Sequence, residues 1–288
     1  VAYLDIVDLE RGLFDPVAMK SKGLELQERY RSAKPFAHIA IDDFLPVPLL
    51  ERCLAQFPAD PDPESRSFDR DQERYKTSYN PDYLAPAARA FFYSLNSRPF
   101  VQFLENLSGI KGLIPDPFFV GGGFHETRNG GHLSIHADFN LHKPMHLERR
   151  LNVLIYLNKN WKAEYGGCLE LWDEKMESCV ERIVPEFGRC VVFSTNDTSY
   201  HGHPDPVNHP EGAPRRSIAL YYYTATWDET ARFRTTQFKP RPGTKDAPDW
   251  RVRREELIKE FLPPVMARAV FKALRVRRTP ADGDAAKH

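Results

Sequence analysis

The sequence predicts an α+β fold, a jelly-roll of short strands flanked by N-terminal and C-terminal helices. Three observations carry this. Apolar residues recur at helical spacing from about Asp15 to Leu107, as in Leu24, Leu26 and Tyr30 and then Leu49, Leu50, Cys53, Leu54 and Phe57. From Pro117 to Thr226 the pattern changes to short apolar runs separated by turn residues. From Trp250 to Arg278 helical spacing returns, broken at Pro263-Pro264. The expected organisation is a helical part packing on the barrel over residues 1–116, a jelly-roll core over 117–228, a C-terminal helical extension over 229–278 and a disordered tail over 279–288.

Within the helical part, the alternating Ile39 and Ile41 in Phe36 to Phe44 predict a strand that feeds a helix after Pro46. The stretch Ala59 to Asn80 is charged and poor in aliphatics, so it is expected as a mobile loop, and a loop of that kind beside a site would make a lid. In the core the expected strands are Phe118 to Phe124, Leu133 to Ala137, Leu151 to Leu157, Cys168 to Trp172, Val180 to Val184, Cys190 to Phe193 and Arg216 to Thr224. Turns are expected at Gly130-Gly131, Gly166-Gly167 and Pro185 to Gly188. This number of short strands fits a double Greek-key jelly roll.

Composition narrows the function classes. The chain has 288 residues, and 41% hydrophobic against 28% charged side chains suit a soluble globular protein with a sizeable core. Forty basic residues balance forty acidic ones, so no overall field recommends nucleic acid as a partner. Cys53, Cys168, Cys179 and Cys190 show neither C-x-x-C pairing nor zinc spacing, which predicts buried free thiols and a reducing, cytoplasmic setting. No apolar run approaches the length of a membrane span.

The chemistry gathers in His136-Ala137-Asp138, His201 and Arg215-Arg216-Ser217. Alternate residues of a strand face one side, so His136 and Asp138 can present nitrogen and oxygen to one ion inside a barrel. Two imidazoles and one carboxylate hold one face of an octahedral Fe(II) and leave three positions open. The spacing is common by itself, and His201 near one strand with Arg215 opening the next gives it weight. A guanidinium matches a carboxylate with two parallel hydrogen bonds, so Arg215 either anchors an acidic ligand or pairs with a structural Asp or Glu. Alternation turns Arg216 to the other, outer side. His203 competes with His201 as the third ligand, and its other reading is a hydrogen-bonding neighbour of the site.

These residues and their surroundings resemble the Fe(II)/2-oxoglutarate-dependent oxygenase superfamily, and within it the prolyl 4-hydroxylase-like branch. The likeness lies in Gly130-Gly131 before His136-Ala137-Asp138, Ile155 to Trp161, Gly166-Gly167 before Leu169-Glu170-Leu171, Pro185 with Phe187, His201 and Arg215-Arg216-Ser217. It implies a double-stranded β-helix core, with His136, Asp138 and His201 as the iron triad. It also implies Arg215, Tyr156 and Ser217 around the far carboxylate of 2-oxoglutarate. The implied cofactors are Fe(II), 2-oxoglutarate and O2, with ascorbate as a reductant. The implied reaction is oxidative decarboxylation of 2-oxoglutarate to succinate coupled to hydroxylation of an unactivated C–H bond. Glu126-Thr127-Arg128 departs from the pattern, since relatives often carry a tyrosine just before the glycine turn.

The substrate stays open between a prolyl residue of a peptide or protein and a free amino acid or other small metabolite, because fold resemblance does not choose. A reading of another class, a non-catalytic metal-binding jelly-roll scaffold, is disfavoured by the intact His136, Asp138, His201 and Arg215. A basic apolar face from Val265 to Leu274 suits docking on the barrel or a second copy, or contact with an acidic membrane surface.

Overall fold

The computed structural model describes residues 1–226 and 233–250 together with Arg254, Ile258 and Met266. The chain divides into two compact units, Val1–Ala247 and Pro248–His288. The first unit begins with β1 (Ile6–Asp8), β2 (Leu13–Phe14), α1 (Pro16–Ser32), β3 (His38–Ile41), α2 (Val47–Ala55), β4 (Arg66–Arg70) and β5 (Glu73–Tyr79). It continues with α3 (Pro86–Leu95), α4 (Arg98–Ser108), β6 (Ile114–Pro115), β7 (Gly123–Ala137), β8 (Leu141–His142) and β9 (Leu147–Tyr156). It ends with β10 (Leu169–Trp172), β11 (Cys179–Ile183), β12 (Cys190–Ser194), β13 (His201–His203), β14 (Arg215–Ala225) and β15 (Gln237–Phe238). In the second unit Trp250, Arg254, Ile258 and Met266 are helical. The rest of the basic face expected from Val265 to Leu274, and the expected tail, lie outside the described residues. Among the described residues no helix is long and apolar enough to cross a membrane.

The main sheet is antiparallel in the order β11-β10-β13-β7-β14-β9-β12-β3. Its two ends meet: Leu169, Leu171 and Ile183 of β10 and β11 share one buried cluster with Tyr156, Val191 and Phe193 of β9 and β12. A sheet whose ends share a core is rolled up, which is the expected double-stranded β-helix. Strand alternation then separates inside from outside. On β9, Leu151, Val153 and Ile155 join the large cluster with the helices, as Ile218, Leu220 and Tyr222 do on β14. The intervening Asn152, Leu154 and Tyr156, and Arg215, Ser217, Ala219 and Tyr221, line the barrel interior. Both faces are covered, which is why these strands read as near-continuous apolar runs.

The outer face is closed by Leu49 and Leu50 of α2, Phe91, Phe92 and Leu95 of α3, Phe100, Phe103 and Leu107 of α4, and Met19 and Tyr30 of α1. Burying each large side chain contributes roughly 1.5–3 kcal/mol. The Asp15 carboxylate starts α1 by accepting from the Val17 and Ala18 amides, with Pro16 in the first turn. Gly23 lets α1 approach α4, since a Cβ there would stand 2.4 Å from the Phe103 carbonyl oxygen.

Four expectations change. The first is Ala59 to Asn80, which is not a plain loop but holds the β4–β5 hairpin, and β5 pairs with β7 from Lys76↔Thr127 to Tyr79↔Phe124. Its charges are met internally: buried Glu73 lies 2.9 Å from the Lys76 Nζ and 3.0 Å from Arg70. The second is Gly130-Gly131, which bends one long strand instead of separating two. The first half of β7 pairs with β14 and the second with β13. Gly130 has φ +79, and a Cβ on Gly131 would lie 2.6 Å from the Arg74 carbonyl oxygen. The third is the expected strand at Phe118, which begins only at Gly123, because the Asp116 carboxylate ties the Phe118 and Val120 amides into a turn. The fourth is Cys179, which is exposed, whereas Cys53, Cys168 and Cys190 are buried free thiols.

Candidate metal and cosubstrate site

The antiparallel pairing of β7 with β13 sets His136 opposite His201, with ring centroids 4.5 Å apart. Asp138 follows the end of β7 and faces both. Its Oδ1 lies 3.6 Å from His136 Nε2 and its Oδ2 3.4 Å from His201 Nε2. The ligand atoms of the three residues lie within 4.8 Å of one another.

The electrostatics make this an electron-rich group. His136 Nδ1 donates to the Ser134 carbonyl and His201 Nδ1 to the Ser199 carbonyl, each at 2.9 Å. A carbonyl oxygen only accepts, so the proton of each neutral ring sits on Nδ1 and the Nε2 lone pair points inward. Burial pushes His201 down to about 4, with Asp138 opposing and His136 reinforcing the shift. Burial would raise Asp138, but Arg149 above all, then His201 and His136, hold its carboxyl well below the usual range. With both rings neutral, two lone pairs and a carboxylate converge. A divalent cation resolves that repulsion, and this donor set with open positions suits Fe(II).

His203 stands elsewhere. A bulge lies between it and His201, so His203 pairs with Leu133 instead of following the alternation. Burial, then the cations of Arg215 and Lys76, hold it well below the usual histidine range. Its Nδ1 is buried with no hydrogen-bond partner among the described residues. The geometry thus places His201, and not His203, beside Asp138.

Arg215 opens β14 on the inner face and is 5% exposed. Its Nε donates to the Gly167 carbonyl at 2.7 Å and its Nη2 to the Tyr156 hydroxyl at 3.3 Å. Among the described residues no carboxylate pairs with it, and burial lowers its pKa accordingly. Ser217, 2% exposed, lies in register with Tyr156 on one side and His125 on the other. The structure therefore groups Arg215, Tyr156 and Ser217 on one wall. Arg216 faces outward as alternation requires, held by Glu126 at 3.0 Å. Glu126 also meets Arg128, so the departure at Glu126-Thr127-Arg128 puts an outer ion-pair network beside an inner Thr127.

Four features escape sequence reading. Asn152 and Arg149 contact Asp138, the amide at 2.8 Å and the guanidinium at 3.1 Å. Asn152 is legible in retrospect, because it shares the period-two face of Tyr156, whereas Arg149 leaves that alternation. Lys76 joins the inner row Lys76–Thr127–Arg215 from the hairpin. Phe238 of β15 pairs along β7, and its ring lies 5.4 Å from that of His136.

Residues 122–223 match the family model described as the 2OG-Fe(II) oxygenase superfamily. No curated protein sequence matches the chain. Among solved structures, a Pseudomonas putida prolyl-4-hydroxylase is similar with TM-score 0.48 at 17% identity, over 70% of this chain and 98% of its own. A Trichoplax adhaerens prolyl hydroxylase in complex with a hypoxia inducible factor peptide fragment gives TM-score 0.48 and 18% identity over 71% and 90%. HygX from Streptomyces hygroscopicus, with nickel, 2-oxoglutarate and hygromycin B bound, gives TM-score 0.47 and 10% identity over 69% and 86%. The segment that resembles the 2OG-Fe(II) oxygenase superfamily contains the converging His136, Asp138 and His201 and most of the rolled sheet that carries them.

Proposed function

We propose that this protein is a 2-oxoglutarate-dependent hydroxylase of an unactivated C–H bond. In this reading His136, Asp138 and His201 hold Fe(II), and Arg215 with Tyr156 holds the C5 carboxylate of 2-oxoglutarate. The observation that carries it is the buried Arg215 with no carboxylate partner among the described residues, on the barrel face that leads to the triad. Burying a guanidinium costs several kcal/mol unless a partner offsets it, and a dicarboxylate cosubstrate supplies that partner.

The inner register supports the same reading. Asn152, which contacts Asp138, pairs with Tyr221, and Tyr156 pairs with Ser217, next but one to Arg215. Between these rows lie Leu154 and Ala219, and in this reading the carbon chain of the cosubstrate passes the small Ala219.

With both bound, iron and 2-oxoglutarate supply the oxygen chemistry, one atom of O2 entering the substrate and the other entering succinate as carbon dioxide is lost. The protein's part is to orient and to exclude water. Main-chain carbonyls fix both histidine tautomers, and Arg215 fixes the far end of the cosubstrate. The triad carboxylate favours hydroxylation over halogenation, which leaves that position free for halide. A prolyl residue in a peptide is the leading substrate class and a small metabolite the second. The free thiols support a reducing compartment such as the cytoplasm.

The test is succinate formation by anaerobically iron-loaded protein given 2-oxoglutarate and O2, wild type against Asp138→Ala, with prolyl peptides and free amino acids in parallel. Turnover in the wild type alone supports the assignment, and stimulation by one set selects the substrate class. Wild-type protein that binds neither iron nor 2-oxoglutarate would return the scaffold reading.

A further inference from the structure

Two neighbours outside the triad set the orientation of Asp138. Its Oδ2 accepts from Asn152 Nδ2 at 2.8 Å and lies 3.1 Å from Arg149 Nη2. Asn152 Oδ1 accepts in turn from Nε and Nη2 of Arg149, at 3.0 and 2.8 Å. Hydrogen bonds and one ion pair link the three side chains in a ring around one carboxylate oxygen.

The same guanidinium is poorly placed to meet a ligand. Its carbon lies 3.6 Å from the centre of the Tyr221 ring and 4.5 Å from that of Phe139, and the residue is 3% exposed. The two rings flank it, and its Nε and Nη2 are directed at Asn152 and Asp138. Arg149 thus differs from Arg215, which is equally buried but has no carboxylate partner among the described residues.

Both carboxylate oxygens face a histidine, Oδ1 at 3.6 Å from His136 Nε2 and Oδ2 at 3.4 Å from His201 Nε2, and we propose that Arg149 is a positioning residue which, with Asn152, competes for Oδ2 of Asp138 so that the metal is bound through Oδ1 alone. This rests on the triad being the metal centre. An octahedral ion with three protein donors keeps three open positions, two for the chelating 2-oxo acid and one for O2. A carboxylate free to rotate and chelate through both oxygens would take one of them. The clamp therefore protects a coordination position, and the positive charge of Arg149 offsets that of the carboxylate without entering the coordination sphere.

The experiment uses Co(II) as the probe in the full chain, reading the visible absorption of the bound ion, which reports coordination number and geometry, and the affinity of the Co(II) protein for 2-oxoglutarate. The variants are Arg149→Met, Asn152→Ala, the double variant and Arg149→Lys, each checked for a native near-ultraviolet circular dichroism spectrum. The expected result is a changed Co(II) spectrum and at least tenfold weaker 2-oxoglutarate binding in Arg149→Met. A shift in the same direction is expected in Asn152→Ala, with a non-additive double variant and partial recovery in Arg149→Lys. Should Arg149→Met fail to fold, Asn152→Ala removes the other half of the clamp and carries the test. Wild-type spectra and affinity in the folded variants would overturn the proposal. So would weaker cosubstrate binding with an unchanged spectrum, which would make Arg149 a ligand contact. Wild-type protein that takes up no Co(II) would instead overturn the metal reading of the triad, a distinguishable failure.

Discussion

Arg215→Met separates a ligand anchor from a structural arginine. The guanidinium is 5% exposed and makes hydrogen bonds to the Gly167 carbonyl and the Tyr156 hydroxyl. Hydrogen bonds from a charged donor return roughly 1.5–3 kcal/mol each, against a desolvation cost of several kcal/mol for the ion. The two sums nearly cancel, so the ligand-free variant should stay within about 2 kcal/mol of wild type, whereas breaking a buried ion pair would cost about 3–5 kcal/mol. Binding of 2-oxoglutarate should weaken by about 2–5 kcal/mol, roughly 30- to 5,000-fold, as when one partner of a buried charge pair is truncated. Urea denaturation of the metal-free protein measures the first quantity, and calorimetric titration of 2-oxoglutarate into Mn(II)-loaded protein the second. Cosubstrate at a hundred times the wild-type Kd should also stabilise the wild type by about 2.7 kcal/mol and the variant by at most about 0.9 kcal/mol. A variant that loses 3 kcal/mol or more without ligand, yet binds 2-oxoglutarate within threefold of wild type, would refute the reasoning.

Three further outcomes follow from the packing and the charges. Ala219→Leu should leave metal binding intact and weaken 2-oxoglutarate binding at least tenfold, because the added atoms fill the inner face between the triad and Arg215; unchanged affinity in calorimetry would place the cosubstrate elsewhere. His125, whose Nε2 lies 2.9 Å from the Gly121 carbonyl, is pushed down to about 3 chiefly by burial and then by Lys76. Its unfolded value is near 6.5, so the unfolded chain binds that proton first. The stability His125 contributes is therefore full above about pH 6.5 and lost as the pH falls toward 3, by up to about 1.4 kcal/mol per pH unit. Denaturation at pH 7, 5.5 and 4.5 should show a shallower acid loss in His125→Gln than in wild type. Gly23→Ala should destabilise by about 1–3 kcal/mol despite the better helix propensity of alanine, because its Cβ would meet the Phe103 carbonyl oxygen at 2.4 Å; a stabilised variant in urea would show that α1 can move away from α4.

How much was legible depended on how local the cause was. The strands at Ile39 to Ile41, Leu151 to Tyr156 and Cys190 to Phe193 were readable because their burial leaves compact apolar runs. The hairpin at residues 66–79 was not, since its charged residues are satisfied by partners across the turn and its second strand is held by β7, more than forty residues further on. Gly130-Gly131 carried a genuine backbone signal, but a positive φ and a close approach are equally consistent with a turn and with a bend inside one strand. The triad and Arg215 could be named from residue types and order, since chelation and carboxylate binding demand those side chains.

By itself, then, the sequence determined the fold class and named the candidate donor set and the candidate anchor, because periodicity and side-chain chemistry are properties of short segments. The tertiary structure alone decided three things. It chose His201 over His203 through a bulge in the β13–β7 pairing. It left Arg215 without a carboxylate while giving Arg149 one. It also brought Lys76 and Phe238 toward the site from the hairpin and from β15. Each depends on strand register across distant parts of the chain, and a one-residue slip turns a side chain to the opposite face, so no local window of sequence contains it.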